Sequence, residues 1–283
     1  MAEPRAPEGE TARAGPVRVR TDPAEVAAFA EALGWRGGCG AVPLTFPVRW
    51  LGLPELRTRL ARALGIEGRL LVQQSQSFAY RERLAPDRDY LIEVEARRGE
   101  TIRKISLHAT VRGECGDIVA AAGTELRLVD GTSFGPPAHR PPPSGRSDLS
   151  RIEAGPFDAL RIRRYASASL DDNPLHADPA IARSVGLEGL IVPGMMVMGQ
   201  FARAAMAWRP DLTITRLYGA FLQPLPAGSR IILSGRTATS SPDREGERVI
   251  LRVFAASEQG DLIVVGEIEG LAPFARAGRR AAS

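Results

Sequence analysis

Lysine is all but missing: Lys104 is the only one in a chain whose Lys+Arg total is 37. Arginine therefore carries the positive charge, and the pI of about 9.6 overstates a net charge of only +4. Aromatic residues make up just 6% of the chain, and the arginines are scattered singly rather than interleaved with rings. That argues against a nucleic-acid partner, which calls for a clustered basic patch with stacking side chains. There are two cysteines, Cys39 and Cys115, far apart and without a CxxC or Cys/His spacing. No zinc site is expected, both thiols are expected to be free and buried, and a reducing, cytoplasmic compartment fits best. No run approaches the roughly 20 consecutive apolar residues of a membrane span, and the opening MAEPRAPEGETARAGP has no apolar core of a signal peptide. Neither a membrane association nor a secretory signal is expected.

What is present is an ordinary globular composition, 44% hydrophobic and 25% charged over 283 residues. That is enough to bury a core, and the length suggests two domains. Residues 1–17 mix Pro, Glu, Arg, Gly and Ala without periodicity and read as a loose tail. The segment GTSFGPPAHRPPPSGR, opening at Gly131, favours extended unpaired backbone, so residues 131–152 read as a linker. It separates a first domain, 18–130, from a second, 153–274, with a short tail at 275–283.

Both blocks carry helical signals followed by extended runs. In the first, TDPAEVAAFAEALG and LPELRTRLARALG read as helices, and LLVQQSQSFAY, DYLIEVEARR, TIRKISLHATVRG and DIVAAAGTELRLV as strands. In the second, DPAIARSV and PGMMVMGQFARAAMAW are the helices; TITRLYGAFLQ, RIILSGRTAT, RVILRVFAAS and DLIVVGEIEGL are the strands. Helices first and an antiparallel meander afterwards, twice over, predicts an α+β repeat. Tyr80, Leu84 and Tyr90 match Phe221, Leu225 and Ile231 at a constant offset of 141 residues, half the chain.

The segment with the most chemistry is YASASLDDNPLHAD, starting at Tyr165. Asp171 and His176 flank Asn173 and Pro174, and proline forces the intervening chain to turn. A short turned loop can aim a carboxylate and an imidazole into one cavity, where they hold a water and exchange protons with it. The same pair read alone also fits a capping Asp beside a solvated loop His. Downstream, the helix from Pro193 to Trp208 is apolar nearly all round and must be wrapped on several sides. Met195, Met196 and Met198 read as core filling.

YASASLDDNPLHAD followed by GLEGLIVPGMMVMG resembles the signature of the MaoC-like (R)-specific enoyl-thioester hydratases and 3-hydroxyacyl-thioester dehydratases. The first block, through VPLTFPVRWLGLP and SFAYRERLAPDRDY, resembles the degenerate N-terminal half of the double-hotdog members. The resemblance implies a tandem hotdog fold, each half a curved antiparallel sheet wrapped around a long central helix. It implies Asp171 and His176 as the catalytic pair and Gly194 as the backbone N–H donor to the thioester carbonyl. Asn173, Leu170, Ser169 and Met195 would bind substrate or shape the loop. Two positions depart from the family pattern: Leu170 stands in place of glycine and Pro193 in place of histidine. The expectation at Leu170 is an ordinary backbone with its side chain narrowing the pocket.

The implied reaction is reversible addition of water to a trans-2-enoyl thioester of coenzyme A or a carrier protein, with no metal, nicotinamide or flavin. The first block lacks the pair: aligning FAEALGW with YASASLD puts Trp35 at the Asp171 position, so one site per chain is expected. His108 and His139 read as structural or solvated, and Glu55 as a carboxylate favoured by its helix dipole. The alternatives are a silent acyl-thioester-binding module or a hotdog thioesterase. A thioesterase would need an acid on the central helix, and Pro193 to Trp208 has none. Pairing of chains through an exposed sheet edge makes a homodimer a consistent assembly, and the Arg, Ala, Gly and Pro richness suits a GC-rich bacterial genome.

Overall fold

Residues 11–35, 41–99, 103–129, 134, 139–141, 147–244 and 246–274 are described by a computed structural model. The first half runs β1 (Thr11–Arg20), α1 (Pro23–Ala32), α2 (Val48–Leu51), α3 (Pro54–Ala63), β2 (Leu70–Tyr80), β3 (Asp89–Arg98), β4 (Lys104–Arg112), β5 (Ile118–Val129). The second runs β6 (Leu149–Ala154), α4 (Ala159–Ser169), a 3-10 turn (Pro174–His176), α5 (Pro179–Ser184), α6 (Gly194–Trp208), β7 (Thr213–Phe221), β8 (Ile231–Pro242), β9 (Glu247–Ser257), β10 (Leu262–Ala272). Among the described residues no helix is long and apolar enough to cross a membrane.

The ten strands form one antiparallel sheet in the order β1-β3-β4-β5-β2-β7-β10-β9-β8-β6. Read from either end, the order repeats itself with the second half substituted for the first. The halves meet where β2 pairs with β7, and Ser77 faces Tyr218 in that seam. Those two residues are separated by the same 141 positions as Tyr80 and Phe221. The local two-fold relation between the halves therefore passes between Ser77 and Tyr218. Bulges fall at Gln74 of β2 and Thr215 of β7, 141 residues apart once more. A register irregularity surviving at the same offset is hard to obtain except by duplication of one unit.

Three expectations need correction. Each half opens with a strand, not a helix. Residues 11–17, expected to be loose, belong to β1, which alternates buried Ala12 and Ala14 with exposed arginines and pairs with β3. Gly15 and Pro16 disguise it in the sequence, but proline is tolerated at a bulge of an edge strand, where its missing N–H costs nothing. Arg13 and Arg20 secure the edge through Glu95 and through Asp87 and Asp89. Likewise the expected linker 131–152 is interrupted by β6, the equivalent edge strand of the second half. Of the rest of that segment, His139 and Arg140 are held against Asp261, and 131–133, 135–138 and 142–146 lie outside the described residues, as do the tails 1–10 and 275–283.

The third correction concerns the two long central helices. In the second half α6 buries ten of its fifteen residues and packs on β6, β7, β9 and β10. Gly199 lets Leu33, at the end of α1, approach the same helix, since a Cβ there would sit 2.5 Å from the Leu33 side chain. In the first half the helix at the matching place, α3, is ten residues long, buries one stripe through Leu56 and Leu60, and packs on β1. Among the described residues no helix packs on β2, β4 or β5 as closely as α6 packs on β7, β9 and β10.

The second half depends on the first for covering its seam edge and for side chains that cross between halves. We therefore expect a chain shortened to begin at Ser147 to aggregate or unfold without cooperativity, because β7 becomes an open edge beside an uncovered apolar face. Size-exclusion chromatography and thermal unfolding of that fragment check this; a soluble, cooperatively folding product contradicts it.

Candidate active site

The helix leading into the motif, α4, was hidden by its charged surface. Asp158 caps it by accepting from the Arg161 N–H at 2.8 Å, and Ile162, Tyr165 and Ser169 form its buried stripe. It ends at Leu170, which adopts the left-handed conformation with φ 56 and ψ 32 while the Asp171 N–H returns to the Ala166 carbonyl at 2.9 Å. This corrects the expectation of an ordinary backbone at Leu170. Reversing the chain after a helix calls for a positive φ, a position usually given to glycine; for leucine it costs about 1–2 kcal/mol. Gly52 packs against the turn: a Cβ there would lie 2.7 Å from the Leu170 carbonyl oxygen and 3.0 Å from its Cβ. Leu170 is among the residues that border the cavity described below.

Beyond Leu170 the loop is fixed bond by bond. Asp171 Oδ1 accepts from the Asn173 N–H at 3.1 Å, which leaves Oδ2 toward His176. Asn173 Oδ1 accepts from the Leu175 N–H at 3.2 Å, and its Nδ2 donates to the Leu71 carbonyl of β2 at 2.9 Å. Leu175, fully buried with Val185, Leu187 and Ile191, anchors the 3-10 turn. His176, 7% exposed, has Nδ1 at 2.8 Å from the Ile191 carbonyl. A carbonyl can only accept, so Nδ1 carries a proton, and the neutral tautomer compatible with this bond is the one whose Nε2 has the lone pair. That atom is 3.6 Å from Asp171 Oδ2. The gap is too long for a strong direct bond and suits an oxygen that both groups contact.

The approach to α6 is pinned from both sides: the Ile191 N–H donates to the Leu175 carbonyl at 3.2 Å and the Val192 N–H to the Leu225 carbonyl at 2.8 Å. Pro193 is the N-cap rather than a first-turn residue, and Gly194 begins the helix. The Met196 N–H donates to the Pro193 carbonyl at 2.9 Å, while the Gly194 and Met195 N–H groups precede any intrahelical acceptor and lie at the positive end of the helix dipole. Gly194 must be small, because a Cβ would fall 2.7 Å from the Phe221 ring.

These groups border a cavity of about 990 Å³ that extends from the second half into the first. Asp171, Asn173, His176, Gly194, Ser169, Leu170 and Met195 all line it. Ser169 spends its hydroxyl on the Tyr165 carbonyl at 2.7 Å, and Met195 is also core, like Met196 and Met198. Val48, Leu51 and Leu126 supply its wall from the first half. β2 and β7 pair from Ser75 to Ala79, and beyond that stretch the carbonyl of Leu71, which also borders the cavity, accepts from Asn173. Arg57 of α3 ion-pairs with Asp172, and both border the cavity.

Glu55 is exposed on α3 and stands outside this cavity, His108 is exposed on β4, and His139 pairs with Asp261 at 2.6 Å. Cys115 is free but exposed in the β4–β5 turn, contrary to the expected burial; Cys39 lies outside the described residues. Polar residues in a tight turn have nothing to bury them. Trp35 packs against the core beyond α1.

Three participants were not visible in side-chain patterns. Two are backbone carbonyls, Leu71 and Ile191, which no motif records. The third, Tyr165, opens the motif: it is fully buried against Phe29, lines the cavity, and its hydroxyl has no partner among the described residues. Burial first, and the Asp171 carboxylate second, hold its phenol well above the ordinary range.

Residues 151–244 match the family described as the MaoC like domain. The chain is 37% identical over 76 residues to a mitochondrial 3-hydroxyacyl-[acyl-carrier-protein] dehydratase of Arabidopsis thaliana, covering 27% of this chain and 46% of that protein, under half its length. It is 28% identical over 113 residues to the (R)-specific enoyl-CoA hydratase of Aeromonas caviae, covering 39% of this chain and 83% of that one. Among solved structures, a MaoC-like dehydratase superposes with a TM-score of 0.75 at 19% identity, covering 96% of this chain and 99% of the other. A conserved hypothetical protein of Mycobacterium tuberculosis with a double hotdog fold gives 0.65 at 11% identity, covering 93% and 96%. The fold is the double hotdog.

The left-handed Leu170 makes a direct prediction. Replacing it with glycine relieves strain of about 1–2 kcal/mol and adds about 0.5–1 kcal/mol of backbone entropy to the unfolded chain. Leu170→Gly is therefore expected to raise stability modestly in urea unfolding. A clear loss would mean that the packing of the leucine side chain outweighs the strain.

Proposed function

We propose that this chain, a double hotdog whose second half carries a MaoC-like domain, catalyses reversible addition of water to trans-2-enoyl thioesters, giving (R)-3-hydroxyacyl thioesters. The hydratase and dehydratase names of its relatives support a hydro-lyase. The observation that carries the reading is the Asp171–His176 pair, 3.6 Å apart at the edge of a cavity that the start of α6 also borders.

In this reading the thioester carbonyl oxygen accepts from the Gly194 N–H, and the helix dipole stabilises the charge that builds there in the enolate-like transition state. Water sits between His176 Nε2 and Asp171 Oδ2. Its oxygen bonds to C3 as one of its protons passes to the pair, and the pair returns a proton to C2, so that the net change is one water added across the double bond. Ile191 holds the His176 tautomer throughout, and Asn173 holds Asp171. The thioester itself makes the C2 position acidic, and acid, base and oxyanion support are all the residues need to supply. Both coenzyme A and carrier-protein thioesters fit this chemistry.

Asp171→Asn and His176→Ala are each expected to lower turnover by on the order of 10² to 10⁴ with the fold intact. The double variant should be little worse than either single one, because the two act on one water. Loss of enoyl-thioester absorbance follows the reaction, and near-wild-type hydration by either variant would sink the assignment.

A further inference from the structure

Resting on the thioester reading, we propose that the acyl group held in the first-half portion of the cavity carries a hydroxyl a few carbons beyond the reacting double bond, and that Gln73, Gln76 and Thr124 bind it. These three line the cavity on the inner faces of β2 and β5, beside Leu107 and Leu126. Gln76 is 0% exposed and Thr124 5%. Thr124 Oγ1 donates to Gln76 Oε1 at 2.7 Å, Gln73 Nε2 donates to the same oxygen at 2.7 Å, and Gln76 Nε2 donates to the Ser77 carbonyl at 3.1 Å.

The duplicated fold supplies its own control. Across the 141-residue offset Gln73 and Gln76 correspond to Ile214 and Leu217, and by strand pairing Thr124, opposite Gln76, takes the place that Ile268 takes opposite Leu217. Those three are 3%, 0% and 0% exposed and wholly apolar. The same sheet positions thus fold well without a polar group. In the second half α6 packs on β7 and β10, the strands that carry them; in the first half α3 packs on β1. Burying amides and a hydroxyl beside an apolar wall is costly unless their bonding is completed.

The network leaves specific valences over. Gln73 Oε1 and Thr124 Oγ1 can accept, and Gln76 Nε2 keeps a second N–H to donate. Acceptors and a donor together match an alcohol, which does both, and none of the network's bonds involves a charged group that would recognise a carboxylate. The position also follows. Asn173 of the catalytic loop bonds to Leu71, and Gln73 lies two residues further along β2, about 7 Å at strand spacing.

Calorimetry on the full chain tests this with pentanoyl-, hexanoyl- and octanoyl-CoA and their terminally hydroxylated counterparts, none of which can be turned over by hydration. At the best-fitting length the hydroxyl should tighten binding about tenfold. Gln76→Leu, the residue the second half uses, should erase that gain, and Thr124→Val, which keeps the side-chain shape, should reduce it. No gain at any length, or a gain that survives both substitutions, overturns the proposal and leaves the network purely structural. Turnover of the matching trans-2-enoyl thioesters is read separately. A hydroxyl preference without hydration upholds this inference while overturning the hydratase reading.

Discussion

The arrangement depends on a seam that closes only part of the way. β2 and β7 pair from Ser75 to Ala79, enough to join two duplicated halves into one sheet, and then diverge. Divergence leaves main-chain groups of β2 in need of partners. The Leu71 carbonyl finds one in Asn173, from the loop that bears Asp171 and His176. The end of the seam thus docks the loop that carries Asp171 and His176, and Leu71, Asp171, Asn173 and His176 all border the cavity. Other contacts across the halves reinforce the docking: Arg49 donates to the Ala168 carbonyl at 2.9 Å, Arg161 to the Leu33 carbonyl at 2.7 Å, and Gln200 to that same oxygen at 2.9 Å.

The two halves have divided the work that a single hotdog does alone. The second retains a long, largely buried helix, and the chain leading into it is held by the carbonyls of Leu175 and Leu225. The first has a shorter helix that packs on β1, and part of its sheet, at Gln73, Gln76, Leu107, Thr124 and Leu126, borders the cavity. Both halves border the cavity: the Asp171–His176 pair and the start of α6 come from one, and Val48, Leu51, Gln76, Thr124 and Leu126 from the other.

Much of this was legible in the sequence because the relevant signals are local. LLVQQSQSFAY and DYLIEVEARR are β2 and β3 residue for residue, and the apolar run before Trp208 is the wrapped helix. The 141-residue offset, read from a few aromatic and aliphatic matches, turned out to relate the seam and both bulges. What stayed hidden has a different physical origin. Edge strands such as β1 and β6 need bury only one side, so they tolerate the Gly, Pro and Arg that read as linker. The Leu170 conformation is set by the chain reversal after α4 and by Gly52 from the other half, neither of which a side-chain pattern encodes. The carbonyls of Leu71 and Ile191 act through backbone, on which sequence is silent.

We propose that one thioester spans the seam, with its reacting carbons between the Asp171–His176 pair and the start of α6. A crystal structure of the Asp171→Asn variant with a trans-2-enoyl-CoA bound is the decisive test. The thioester oxygen is then expected within hydrogen-bond distance of the Gly194 N–H, with C3 facing the gap beside His176 Nε2 and the acyl chain running toward Gln76. A thioester bound away from Gly194, or an acyl chain lying wholly in the second half, would contradict it.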